Sequence, residues 1–501
     1  MKQIKNWLFV FCLLCLTFAF AQQKQNLSVL YVGYDPSIPL PEKVIKSSTG
    51  NGGMTEERFI EDYKTRFPEF KGYLEKYFTK VKTVDARDYK QEMSTDYDVT
   101  IFDQTIEPWK ERILEQKPDG TNHYEPAKYL TDDFDRATIF IGHTAPVMGH
   151  SVGSKLDWLC LCLDANAHHI KTEHPIFKGP FPVKLTLVEK PTPDGIYHYP
   201  SGKNVPKEIP MWRVQKEGYI EGKGYRVGMV SRGDSFLDSP DAEYISSGVN
   251  TKDVGAVAIG RHGNYFLWGF SASPDYMTDE ARQVFANAIV YMKKFNGQKP
   301  IARKYNDRIA TKDYVDNIIG RLNKESFEHT VQYYKDINVQ MAKTVAELKG
   351  KKDKGEQLTE MEEAIIKAQS QPMPIPNWEQ YVQQMAREHF KSEYVENVGA
   401  LKKYLNENRK YMYSEPDAFY SLQIDEELKK IGVGNDTLEF FEKCIPALKD
   451  PNLSKQATIA LKRYTDMEKS QEEWEQWYNT NKKKLFFTES GGFKWMIDTT
   501  K

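Results

Sequence analysis

Three short, almost unbroken apolar runs set the terms on which this chain can fold: Leu27-Ser-Val-Leu-Tyr-Val-Gly33, Asp98-Val-Thr-Ile-Phe-Asp103 and Ala137-Thr-Ile-Phe-Ile-Gly142. Each is too short for a helix and stops at a Gly or an Asp, so each reads as a strand covered on both faces. Leu156 to Leu163 extends the pattern. Between the first two runs, Thr55 to Phe78 sets Phe59, Tyr63, Phe67, Phe70, Leu74 and Tyr77 near helical spacing. Pro68 interrupts that stretch and predicts a kink or two short helices. Strand–helix–strand alternation with such strands gives an α/β fold with a mostly parallel sheet between helices.

Further on, Tyr225 to Val230, Val254 to Ile259 and Tyr265 to Phe270 are strand candidates, the last two joined by a predicted hairpin turn over Gly260-Arg-His-Gly-Asn264. The clearest helix follows. Thr278 caps it, Asp279 and Glu280 occupy its first turn, and Ala281, Val284, Phe285, Ala288, Ile289 and Met292 form one stripe. Past Gly297-Gln-Lys-Pro300 the strand signals fade, and Lys312 to Asn479 is helix-forming. Leu485 to Ile497 reads as a hairpin turning on Gly491-Gly492. The expected division is an α/β domain over 22–300 and a helical domain over 301–501, ending in that hairpin.

Residues 1–21 read as a secretory signal: Lys2 and Lys5, an apolar stretch from Trp7 to Phe18, and Ala19-Phe20-Ala21, with cleavage expected after Ala21. The apolar stretch is shorter than the ~20 residues of a spanning helix, and no second one follows. Cys15 is the lipidation alternative, behind a poor lipobox. The expected destination is the periplasm or the exterior, with no membrane span after cleavage. Basic and acidic residues nearly cancel, 69 against 71, so no field argues for nucleic acid. Beyond the signal only Cys160, Cys162 and Cys444 remain, an odd number that reads as free thiols.

The α/β half resembles a class I glutamine amidotransferase-like domain, closest to the ThuA-like branch. The resemblance rests on the opening strand and its long loop, on His174-Pro-Ile-Phe-Lys-Gly179, and on Gly260 to Phe270 followed by Ser273 to Ala281. It covers roughly Leu27 to Phe295 and implies a flavodoxin-like fold with its site at the carboxyl ends of the strands. It also implies a loose association with carbohydrate metabolism. The catalytic amidotransferases carry a cysteine in a G-x-C-x-G elbow; here Gly142 leads into His143-Thr144-Ala145-Pro146, so glutaminase activity is not expected.

Candidate chemistry comes from residues placed at strand ends or turns. Asp35 and His143 follow strands, and Arg261 and His262 sit on the predicted hairpin turn; His143, His262 and Asp35 are the catalytic candidates, with Arg261, His168 and His169 as ligand contacts. Each has a plain alternative: Asp35 caps its turn beside Pro36, and Arg261 is a solvated turn charge. Gly149-His-Ser-Val-Gly153 matches the G-x-S-x-G of serine hydrolases, with Ser151 as nucleophile and His262 as base. A hydrolase needs Ser151 at a strand-to-helix turn, whereas a glycine-rich surface turn is the plainer reading. No HExxH or facial-triad spacing occurs, so neither a metal nor another cofactor is expected. Trp474, Trp477 and Trp495 read as core before platform.

Three functions stay open on these residues. The first is an exported accessory protein that handles a carbohydrate-derived small molecule. The second is a non-catalytic scaffold binding a protein through its helical domain. The third is the Ser151 hydrolase. A catalytic site requires His143, Asp35 and His262 to converge; a scaffold leaves them scattered.

Overall fold

The computed structural model describes the chain except residues 1–22, 41–54, 117–121, 157, 194–195, 197–203, 219–227, 251–252, 306–308, 370, 391–396 and 416–420. The signal segment with Ala21 and Cys15, and His198, lie outside the described residues, as do the side chains of Cys160 and Cys162. Cys444 is a buried free thiol.

The α/β half contains β1 (Gln25–Gly33), β2 (Phe78–Asp85), β3 (Val99–Phe102), β4 (Ile113–Gln116), β5 (Asn122–Glu125), β6 (Thr138–Ile141) and β7 (Trp158–Leu163). It continues with β8 (Asn166–His168), β9 (Leu187–Pro191), β10 (Glu208–Arg213), β11 (Gly228–Ser231), β12 (Ala242–Gly248), β13 (Val257–His262) and β14 (Tyr265–Trp268). All but the separate β4–β5 hairpin join one 12-stranded sheet, ordered β2-β1-β3-β6-β14-β13-β12-β8-β10-β9, with β11 and β7 branching from β13. The first five strands in that order are parallel. From β14 onward every pairing is antiparallel. The sheet is therefore mixed, and the expected parallel character is confined to its first five strands. The reason is local: β14 returns from β13 through a two-residue turn, which only an antiparallel pair accepts.

That turn also corrects a boundary. His262 pairs with Tyr265, so β13 runs through Arg261 and His262 and the turn is Gly263-Asn264 alone. The three polar-looking residues Gly260, Arg261 and His262 are buried strand, not loop.

α1 (Glu56–Tyr77) is one helix of 22 residues with Pro68 inside it, not two. Thr55 caps its start, and Phe70, Tyr73, Leu74 and Tyr77 hold it on the sheet, enough to carry the one ladder bond that proline removes. α2 (Asp279–Met292) begins as its sequence foretells: Thr278 accepts from Ala281 N at 3.2 Å. Thr278→Ala is expected to lower stability by about 1 kcal/mol in urea denaturation, through loss of that cap. The His174-Pro-Ile-Phe segment is a 3₁₀ turn docked on α2, where Asn287 Nδ2 donates to Ile176 O at 3.0 Å and to Phe181 O at 2.9 Å. Its role there is architectural. α1 and α2 share one core on one face of the sheet; Phe102, Phe140, Met148, Leu156 and Tyr265 pack on the other.

The helical half holds α3 (Asp313–Arg321), α4 (Lys324–Asp353), α5 (Glu360–Ala368), α6 (Trp378–Phe390), α7 (Val398–Asn408), α8 (Glu426–Ile431), α9 (Glu439–Ala447), α10 (Ser454–Thr465) and α11 (Gln471–Asn481). It also holds the two-residue strands β15 (Met412–Tyr413) and β16 (Gln423–Ile424), and the hairpin of β17 (Leu485–Thr488) and β18 (Lys494–Ile497). Its core is separate, built on Phe440, Phe441, Tyr464, Trp474 and Trp495. Trp474 and Trp495 are core residues there, and Trp477 packs edge-on to Trp474 at 5.4 Å.

Candidate functional site at the carboxyl edge of the sheet

Parallel strands β1, β3, β6 and β14 deliver Tyr34-Asp35, Asp103-Gln104, Gly142-His143-Thr144 and Gly269-Phe270-Ser271 to one edge. Strand order reverses at β1, which has β2 on one side and β3 on the other, and ligands of open α/β sheets bind where such a reversal opens a crevice.

Under that crevice lies a buried clamp. Arg66 enters from α1 and places Nε on Asp103 Oδ2 and Nη2 on Asp103 Oδ1, each at 2.7 Å. Its Nη1 donates to Ser271 O at 2.8 Å. Tyr31 OH donates to Asp103 Oδ2 at 2.7 Å. A planar fork satisfying both carboxylate oxygens is the strongest form of this pairing. One guanidinium thus fixes α1 to the ends of β3 and β14.

His143 sits above the ends of β3 and β6. Gly142 has φ +53°, and a Cβ there would lie 2.4 Å from Ser271 Oγ. Only glycine makes this turn, and it delivers His143, half-buried, to the edge. Thr144 Oγ1 lies 3.0 Å from both Phe102 O and Ile141 O, fixing the next residue to both strands. Gln104 and Ser273 are buried nearby in sequence to this edge, and Ser273 donates its hydroxyl to Glu69.

Asp35 also reaches this edge, but its carboxylate caps a turn: Oδ1 accepts from Ser37 N at 2.9 Å. Its N–H donates to Asp85 Oδ2 at 2.7 Å. Burial works to raise the Asp85 carboxyl, yet hydrogen bonds from Arg87 and from two backbone N–H groups outweigh it and hold it below the usual range.

The remaining candidates lie elsewhere. His262 faces Tyr265, which pairs with Thr138 at the start of β6, so it occupies the opposite edge. Five residues of strand and turn separate Thr138 from His143, about 16 Å along the sheet. Expected convergence of His143, Asp35 and His262 therefore does not occur. His262 is fully buried; its Nδ1 accepts from Lys155 N at 3.0 Å and its Nε2 lies 3.5 Å from Asp241. Burial pushes this imidazole down to about 3 against the pull of Asp241, so it stays neutral at physiological pH.

Arg261 is not a solvated turn charge. Its Nε donates to Glu243 Oε2 at 2.7 Å, its Nη1 to Gly263 O at 2.7 Å, and it stacks over Phe295 at 3.8 Å. Burial opposes ionisation of Glu243, but His174, Arg261 and Tyr291 bring it down to about 2. His168 and His169 lie on and just after β8, four strands from β6, which is about 19 Å. Their Nδ1 atoms are 2.7 Å apart, and burial takes His168 down to about 3.

Ser151 closes the helical turn after β6 and donates to Met148 O at 2.6 Å. That is the far end of the turn, not the strand-to-helix corner an elbow serine needs. Among the described residues, no group of three or more His, Cys, Asp or Glu is arranged to hold a metal.

No protein-family model matches the sequence, and neither a curated protein nor a solved structure matches it. The geometry therefore carries the functional argument alone.

Sequence reasoning named His143 and Asp35 but missed Arg66 and Asp103 as partners. A signal was present: Asp62 and Arg66 fall in the buried stripe of α1 with Phe59, Phe70 and Tyr73. A charge at such a position predicts a buried counter-charge.

Proposed function

We propose that this chain is an exported, ThuA-like protein that binds a small hydroxyl-rich molecule, carbohydrate in origin, at the carboxyl edge over β1, β3 and β6. The observation that carries the reading is His143, half-buried at the end of β6, two strands from the reversal at β1, and next to Thr144, which is bonded to β3, whose end the clamp holds. A rigid floor with an accessible imidazole suits hydrogen bonding to hydroxyl groups. The order β2-β1-β3-β6-β14 of the parallel strands supports a flavodoxin-like ancestry, since that is the doubly wound order 2-1-3-4-5. Glutaminase chemistry is left out of this reading because Thr144, and not a cysteine, stands third in Gly142-His143-Thr144-Ala145-Pro146.

The test is calorimetric titration of the full chain with neutral mono- and disaccharides. Wild type is expected to bind one class, and His143→Ala to weaken it by about tenfold, equivalent to one hydrogen bond of ~1.4 kcal/mol. Equal affinity of the two proteins would remove His143 from the site. A second reading, a non-catalytic scaffold, is favoured by the scatter of His143 and His262 to opposite edges. Absence of binding to every sugar, with a protein retained by the helical half, would select it.

A further inference from the structure

The tip of the β17–β18 hairpin grips both halves of the molecule. Thr488 Oγ1, Ser490 N and Ser490 Oγ donate to Asp238 of the α/β half at 3.1, 2.8 and 2.9 Å. Lys155 Nζ, wholly buried, reaches the same carboxylate at 2.7 Å. Between these two residues of the tip stands Glu489, whose Oε2 accepts from Lys312 N at 2.6 Å, just before α3. The Lys312 ammonium is held elsewhere, by Asn435 Oδ1 and Asp436 Oδ2, each at 2.6 Å. Among the described residues, Glu489 thus has a backbone donor but no ammonium bonded to it.

The charges around it are unbalanced. Lys312 and Asp313 face it from the start of α3, Asp436 from the loop after α8, Arg409 from the end of α7, and Asp238 with Lys155 from the α/β half. Asp316 on α3 occupies Arg409 through two hydrogen bonds. Among the described residues, carboxylates at Asp238, Asp313, Asp316 and Asp436 already outnumber the cations Lys155, Lys312 and Arg409 before Glu489 is counted.

We propose that this hairpin tip is a proton-operated clasp, gripping both halves when Glu489 is protonated and loosening them when it ionises. Burial pushes the Glu489 carboxyl up to about 7; Lys312 pulls it down through its charge and backbone N–H, while Asp313 and Asp238 push it further up. The folded value lies above the ordinary 4.5. The stability this proton supplies is therefore complete below about 4.5 and is lost as pH rises through about 7. Burial tends to raise Asp238, but Lys155 and Ser490 hold it below its usual value, so it stays charged through that window.

Trypsin reads the clasp directly. Arg303 and Lys304 lie in the segment joining the halves, where Lys304 is 2% exposed and donates its N–H to Gly153 O at 2.7 Å. Arg303 Nη2 holds Asp132 O at 2.6 Å. Cleavage at this pair, followed by mass spectrometry on the full chain, is compared between wild type and Glu489→Gln from about pH 6 to about pH 8.5. The ratio of the two rates cancels the protease's own pH dependence. It is expected to rise roughly tenfold across that range, with its midpoint near 7. A constant ratio would overturn the proposal. Ser490→Ala, which removes the hydroxyl contact to Asp238 without changing charge, is expected to speed cleavage at every pH and leave the midpoint in place. If it is cut no faster than wild type, the tip is not what holds the halves together.

Discussion

Arg66→Leu is expected to lower folding stability by about 3–5 kcal/mol, seen as a smaller urea midpoint at unchanged slope. The substitution takes the bidentate guanidinium away from Asp103, a carboxylate 2% exposed that also accepts from the Tyr31 hydroxyl. It also removes the Arg66 hydrogen bond to the Ser271 carbonyl. An uncompensated buried carboxylate is among the few lesions that reach this size. The double variant Arg66→Leu, Asp103→Leu separates the cost of the orphan from the worth of the pair. It is expected to recover most of the loss, because exchanging a whole buried ion pair for apolar side chains is often nearly neutral. If the single and double variants are equally unstable, the clamp acts through packing and not through charge.

Gly269→Ala is the second large effect, about 3 kcal/mol of destabilisation. Gly269 follows β14 where β11 and β13 both come against it: its N–H donates to Ala258 O at 2.8 Å, and its own carbonyl accepts from Met229 N at 2.9 Å. An added Cβ would stand 2.2 Å from Met229 O and 2.7 Å from Ala258 O. Both obstacles are backbone in a sheet interior and have nowhere to move. Gly72→Ala is the contrast. It lies within α1 with no atom within 4 Å of the added methyl, so it is expected to stabilise by roughly 0.5–1 kcal/mol. Thermal melts of the two variants should shift in opposite directions.

How far the fold could be read in advance depended on where apolar residues cluster. β1, β3 and β6 are uniform apolar runs, and α2 carries its cap and stripe in plain order, so all four were legible. β2 was not: Phe78-Thr-Lys-Val-Lys-Thr-Val-Asp85 alternates at the sheet margin, and its opening Phe continues the helical spacing of α1. β9 and β10 carry Pro191 and Pro210, which argue against a strand until the partner is known. Arg261 and His262 looked like loop because they are polar; long-range partners, Glu243 for one and Asp241 with Lys155 for the other, make them strand. The site divides the same way. His143 follows an apolar run that announces its own end, whereas the Arg66–Asp103 pair joins positions 37 residues apart, and neither shows its partner locally.

The hairpin's hold on Asp238 has a consequence for how the molecule is made. Ser490 follows Asp238 by 252 residues. At roughly 5–20 residues per second of synthesis, that interval is about 13 to 50 seconds. From the completion of β14 at Trp268 the sheet has every strand it needs, yet Asp238 still lacks the hairpin tip and has Lys155 to answer it. The nascent α/β half is thus a finished scaffold with an unfinished seam, and any holdase that recognises it should let go only after the helical half has been delivered.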